Sequence, residues 1–356
     1  MLGGRRAQAP HAARPMTHVK KAALVHEPRP SSGMKLKSYI WPAIGIAAVA
    51  ICGWLLYRDL RGISLHDVKS SLEAIPPLHW VLSAGGALLA YAALAGYDRI
   101  ALLHLNKRLS WMFITLCSFT AYAVAHNIGA SVLSGAVIRY RAYTTQGLTV
   151  GEVAVLVALC SFTFALGTIV LGGGVLVLEP DVMERYIGDL TFGLSSVVGA
   201  LMLGFVLLYV LGGWMHFPAL RLGRVRIRYP RLPVIAGQLV VGPLELIGAT
   251  SIIYFALPEA GNPGFLTVLG IFLASFSAAL LSHAPGGLGV LEVVFLAGLP
   301  DIAAADVLAA LLVFRLFYLI IPAALSLIVV LLFERSQFLN SVKREQPAPA
   351  PDPQGP

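Results

Sequence analysis

The side chains able to do chemistry in this chain are few, and they stand inside sequence that is otherwise apolar. Ser282 to Glu292 reads Ser-His-Ala-Pro-Gly-Gly-Leu-Gly-Val-Leu-Glu within the apolar C-terminal third. Pro285 removes a backbone donor and Gly286, Gly287 and Gly289 loosen the chain, so a helix breaks here. Its unpaired backbone groups must then face protein or a wet cavity. Free N–H groups ahead of a helix restarting at Val290 suit an anion such as a phosphate. Close packing of helices is the competing use of such small residues. Glu292 falls in the first turn of that restarted helix, where the helix dipole alone favours a carboxylate; the functional alternative is contact with a cationic ligand group. Arg315 lies about nine residues past Asp306, roughly 13 Å into a bilayer. A charge at that depth costs about 3 kcal/mol on insertion scales and requires a partner, for which Glu292 and Glu245 are the candidates.

Arg139 and Arg141 follow a second break near His126-Asn127-Ile128-Gly129. Their guanidinium forks suit a bidentate phosphate, and both also fit as basic anchors reaching toward headgroups. His126, Asn127 and His283 are the other polar residues at the two breaks. A lone histidine usually bonds locally. Neither a His-Glu-x-x-His spacing nor a Walker A motif is present, so metalloprotease and ATPase chemistry are not indicated and no cofactor is implied. Glu152 closes Thr149-Val150-Gly151-Glu152, a capping box whose structural use suffices.

Composition determines what must position these residues. Of 356 residues 57% are hydrophobic and 12% charged, with a mean hydropathy of +0.78. Apolar runs close to the ~20 residues a bilayer requires define an all-α, polytopic helical membrane protein. The net charge of +8 sits in the N-terminal tail and in short loops. Orientation of a membrane protein explains that pattern better than nucleic-acid binding, which is not expected. Cys52, Cys117 and Cys160 fall inside apolar spans without metal-ligand spacing.

Residues 1–38 read as a disordered, basic cytoplasmic tail and 336–356 as a Pro-rich cytoplasmic tail, flanking a membrane domain over 39–335. The expected crossings begin with Tyr39 to Tyr57 and, after an amphipathic link, His79 to Tyr97, which ends at a loop holding Asp98 and Arg99. Val153 to Leu178, Leu190 to Trp214, Leu232 to Leu257 and Val307 to Phe333 follow. Lys107 and Arg141 inside and Glu179 outside agree only if 111–133 returns to the side it entered, as a re-entrant hairpin broken near His126. The loop with Arg221, Arg224, Arg226, Arg228 and Arg231 is the strongest cytoplasmic marker. Phe265 to Ser282 followed by the short Val290 to Leu299 makes a second broken hairpin. Units of about 79–178 and 232–333 thus form an inverted repeat, the architecture of transporters.

At these residues the sequence resembles the membrane part of the lysylphosphatidylglycerol synthase, or multiple peptide resistance factor, family. The resemblance is carried by Ala125-His126-Asn127-Ile128-Gly129, by Ser134-Gly135-Ala136-Val137-Ile138-Arg139-Tyr140-Arg141-Ala142-Tyr143 and by Gly147-Leu148-Thr149. It continues in Pro285-Gly286-Gly287-Leu288-Gly289-Val290-Leu291-Glu292 and in Phe314-Arg315-Leu316-Phe317-Tyr318 with Pro322. Coverage runs over roughly 40–335. The resemblance implies a stand-alone flippase-type module for phospholipid, aminoacylated phosphatidylglycerol included, in a bacterial-type inner membrane with both termini cytoplasmic. With that substrate class the expected lipid-binding residues are Arg139, Arg141, Glu245, Pro285, Gly286, Gly287, Gly289, Glu292, Arg315 and Tyr318, with His126, Asn127 and His283 as lesser candidates. The family's soluble aminoacyltransferase domain is expected to be absent, and transferase activity with it. Membrane phospholipid is the expected partner, together with a separate lipid synthase; a homo-oligomer is left open. The alternatives are a membrane-embedded lysyltransferase-type enzyme and a regulatory subunit of a cell-envelope lipid synthase.

Overall fold

The structure is a computed structural model that describes residues 64–128, 131–182, 186, 192–215, 220–222, 225–227, 229–282 and 285–345. All of these belong to one compact unit, Pro42–Pro356. The N-terminal tail, the expected first span Tyr39 to Tyr57, His283 and the last residues of the C-terminal tail lie outside the described residues.

A short helix α1 (Leu65–Ala74) opens on a capping box in which Ser64 and Asp67 satisfy each other's backbone N–H. The Ser64 backbone donor holds the Asp67 carboxyl below the usual carboxylate range. Helix α2 (Pro77–His104) begins with a proline in its first turn, where the missing N–H has no intrahelical partner to lose. Then come α3 (Trp111–Ile128) and α4 (Ser131–Thr144), which pack on each other, and α5 (Val150–Leu178), started by the Thr149/Glu152 capping box. Helix α6 (Phe192–Trp214) leads to a two-stranded antiparallel ribbon, β1 (Leu220–Leu222) with β2 (Val225–Ile227), Arg221 standing opposite Arg226. The chain continues through α7 (Leu232–Ala256), α8 (Phe265–Ser282), a 3₁₀ turn at Pro285–Gly287 and the nine-residue α9 (Val290–Gly298). Helix α10 (Ala304–Phe314), a π-helical turn (Arg315–Ile320) and α11 (Ile321–Glu345) close the described chain as one continuous helical rod. This is an all-α polytopic membrane protein; among the described residues six helical stretches are long and apolar enough to cross a bilayer, within Pro77–His104, Val150–Leu178, Gly193–Trp214, Leu232–Ala256, Phe265–Ser282 and Ala304–Phe333.

Glycines set how closely these helices approach. A Cβ on Gly86 of α2 would stand 2.7 Å from the Gly248 carbonyl oxygen of α7, and one on Gly167 of α5 would stand 2.5 Å from the Gly242 carbonyl carbon. Gly199 of α6 meets Gly173 of α5 in the same way, at 2.8 Å from its oxygen. With lipid as apolar as leucine, contact area gained by such approaches is what holds transmembrane helices together. Ser83 adds a hydrogen bond of 3.0 Å across α2 and α7 to the Ile252 carbonyl. The α2/α7 pair forms the centre, and the α3/α4 and α8/α9 hairpins pack around it.

Two features depart from the sequence reading, and a third refines it. Helix α2 runs past Asp98 to His104, so Asp98 is inside a helix and fully buried rather than in a loop. Helix α3 keeps His126 and Asn127 in its last turn, ends at Ile128 and is followed by α4 from Ser131, so the interruption expected near His126 falls just after it. A ribbon stands where a plain loop was expected, at 220–227.

Candidate functional site

Arg315 ties the second hairpin together. Its Nε and Nη2 donate to Glu292 Oε1, the former at 3.1 Å, while Nη1 donates to the Gly286 carbonyl at 3.1 Å. Glu292 Oε2 accepts from the Gly289 N–H at 2.8 Å. The pair is not sealed: the side chains keep 13% and 11% of their accessible surface. Gly286, Gly287 and Gly289 have φ of 58°, 65° and 82°, the left-handed region that an L side chain enters only at a cost. Those angles reverse the chain between α8 and α9 and turn the Gly286 carbonyl toward Arg315. The expected anion cradle is therefore already occupied at Gly289 by the protein's own carboxylate, at the N-terminus of α9 where negative charge is favoured. Glu245, the other candidate partner, does not meet Arg315.

The turn that carries Arg315 is π-helical for a reason. Pro322 has no N–H to give the Tyr318 carbonyl four residues earlier, so the regular ladder cannot close there. Tyr91 of α2 donates its hydroxyl to that carbonyl at 2.9 Å, and Asn127 of α3 donates to the Leu319 carbonyl at 3.1 Å. The end of α3 also packs against the Pro285–Gly287 turn. Hence the tips of both hairpins meet at the π turn. His126 stacks on the Tyr318 ring, centroids 5.0 Å apart, and the Tyr318 hydroxyl donates to Glu245 Oε1.

Arg139 lies elsewhere in chemistry though near in space. It is buried, and its fork is closed on Asp98 of α2, Nη2 to Oδ1 at 2.8 Å and Nε to Oδ2 at 3.1 Å. The Tyr143 hydroxyl donates to Asp98 Oδ2 at 2.8 Å and the Cys160 thiol to Oδ1 at 3.3 Å. The guanidinium lies 4.4 Å from the Tyr122 ring centroid. The Nε and Nη2 edge that a bidentate phosphate would use is thus taken by Asp98 in this conformation. Arg141 is exposed, two residues on.

The sequence that forms these helices matches a known family. The family described as Lysylphosphatidylglycerol synthase TM region covers residues 43–326. The chain belongs to this family. Among relatives, it is similar to the uncharacterized protein slr0712 of Synechocystis, 30% identical over 80% of this chain and 91% of that one. It is also similar to the inner membrane protein YbhN of Escherichia coli, 30% identical over 79% of this chain and 83% of that one. A phosphatidylglycerol lysyltransferase of Staphylococcus aureus is 22% identical over 77% of this chain, which corresponds to 31% of the relative's length.

Within this member of the family, sequence reasoning missed Asp98, Tyr91, Tyr97, Tyr143 and Cys160 as parts of the polar core. For Asp98 the only signal was an acidic residue beside Arg99 at the end of an apolar run, which does not reveal that its partner is Arg139. A usable signal existed at Pro322, which marks a carbonyl in need of a donor one turn earlier.

Proposed function

We propose that this protein is a flippase-type lipid translocase that carries a phospholipid headgroup between the leaflets of a bacterial-type inner membrane. Phosphatidylglycerol and its aminoacylated form are the substrate class. The observation that carries the reading is the partly open Arg315–Glu292 pair, set where the tips of both hairpins meet. Arg315 holds Glu292 through one carboxylate oxygen, and a guanidinium fork can take the two free oxygens of a phosphodiester in bidentate fashion. Glu292, once released, keeps the Gly289 N–H and the favourable end of α9. It is then placed to receive the ammonium of an aminoacylated headgroup.

In this reading 79–178 and 232–333 are inverted units, and movement of one hairpin against the other exposes Arg315 to alternate sides. Packing of α2 on α7, the first crossing helix of each unit, supplies the fixed frame. Both termini are cytoplasmic by the distribution of basic loops. The lysyltransferase and inner-membrane relatives support the lipid class and the compartment respectively.

The test is lipid movement in proteoliposomes with labelled anionic, zwitterionic and aminoacylated phospholipids. Acceleration over empty vesicles is expected for the anionic or aminoacylated lipid. No acceleration for any of the three removes the proposal.

A further inference from the structure

Asp98 and Glu292 each hold an arginine, whereas Glu245 has no ion pair among the described residues. It lies in the middle of α7 and is 1% exposed. Its Oε1 accepts from Tyr318, while Oε2 is buried with no hydrogen-bond partner. The Tyr97 hydroxyl is buried against the Glu245 carboxylate without a hydrogen bond of good geometry to it, and Nδ1 of His126, whose ring stacks on Tyr318, is buried and unpartnered. The titratable groups facing Glu245 are Tyr91 and Tyr97 from α2, Tyr122 from α3 and Tyr318 from the π turn. From α5, α6, α8 and α10, the other elements packed on α7, no charged group reaches it among the described residues. Hydroxyls alone do not compensate a carboxylate charge held away from water.

We propose that Glu245 is a proton-binding site at membrane depth, occupied in the conformation seen here. A proton from water adds to Oε2; Tyr318 still donates to Oε1, which becomes the carbonyl oxygen, and Oε2–H donates to the Tyr97 oxygen. Opening of the core hydrates the site, and the proton leaves to whichever side is exposed. Because the neighbouring Tyr318 shares the π turn with Arg315, the state of Glu245 bears on the same turn that presents the headgroup site. That coupling role rests on the translocase reading, while the proton site itself does not.

The experiment is infrared difference spectroscopy of the full chain in bilayers at neutral pH, wild type minus Glu245→Gln. A carbonyl stretch of a protonated carboxylic acid, shifted in D₂O, is expected. Tyr318→Phe removes the hydrogen bond to Oε1 and moves the band to higher frequency, which identifies it as Glu245 even if the glutamine variant fails to fold. Only a carboxylate stretch, or an acid band indifferent to Tyr318→Phe, overturns the site. In proteoliposomes a transmembrane pH gradient changes the rate of lipid movement by wild type, and Glu245→Gln abolishes that response. Absence of lipid movement by wild type with the acid band present sinks the translocase reading alone.

Discussion

The two arginine–carboxylate pairs use the same chemistry in different surroundings. Asp98 is fully buried and Arg139 nearly so, and the aspartate's remaining acceptor sites are filled by Tyr143 and Cys160. Removing one partner leaves an uncompensated charge in the core, so Asp98→Ala should destabilise the protein by about 3–5 kcal/mol. Thermal unfolding in detergent measures this. Arg139→Lys should rescue little, since an ammonium cannot span both carboxylate oxygens as the fork does. Arg315→Ala should cost less, because Glu292 retains the Gly289 N–H and water can reach the site. Much of this residue-scale picture was legible: Arg139, Glu292 and Arg315 stand out as charges in apolar sequence. Asp98 did not, because Asp98-Arg99 reads as the polar end of a span, and only the tertiary approach of α4 shows where the aspartate's partner comes from.

Helix packing and helix breaks follow different rules. Breaks are written locally, in Pro285, the glycines after it and Pro322, because backbone donors and positive φ are properties of a few adjacent residues. The close approaches are not local. Gly85 and Gly86 are neighbours with identical propensity, yet a Cβ on Gly85 meets nothing within 4 Å and one on Gly86 meets the α7 backbone. Gly86→Val should therefore cost about 1–3 kcal/mol by forcing α2 and α7 apart. Gly85→Ala should be neutral or stabilising by about 0.5–1 kcal/mol, from reduced freedom of the unfolded chain. Comparing the two melting temperatures checks the central helix pair directly. The π turn was hidden for a related reason: Pro322 announces an unpaired carbonyl, but Tyr91 and Asn127, which supply donors beside it, come from two other helices.

At the scale of the whole molecule, the proposed lipid transfer depends on a topology and on the π turn that contacts both hairpins. Gln146 is exposed in the connection between α4 and α5, beside the basic Arg141. A cysteine at Gln146→Cys should react with an impermeant maleimide only from the cytoplasmic side; reaction from outside would contradict the inverted arrangement. Within the described residues the apolar spans were legible from hydropathy, since a bilayer imposes their length on the sequence. What the sequence could not supply was the partitioning of charges among partners, as Glu245 and Glu292 are equally plausible mates for Arg315 until the fold chooses. The most direct measurement is the rate of labelled phospholipid movement in proteoliposomes containing wild type, Arg315→Lys or Arg315→Ala, each normalised to folded protein. Losing charge-assisted bonds worth about 1.5–3 kcal/mol at the headgroup site predicts a drop of roughly tenfold or more for Arg315→Ala, with Arg315→Lys between. Unchanged movement by folded Arg315→Ala would contradict the claim that this pair is where the lipid headgroup is handled.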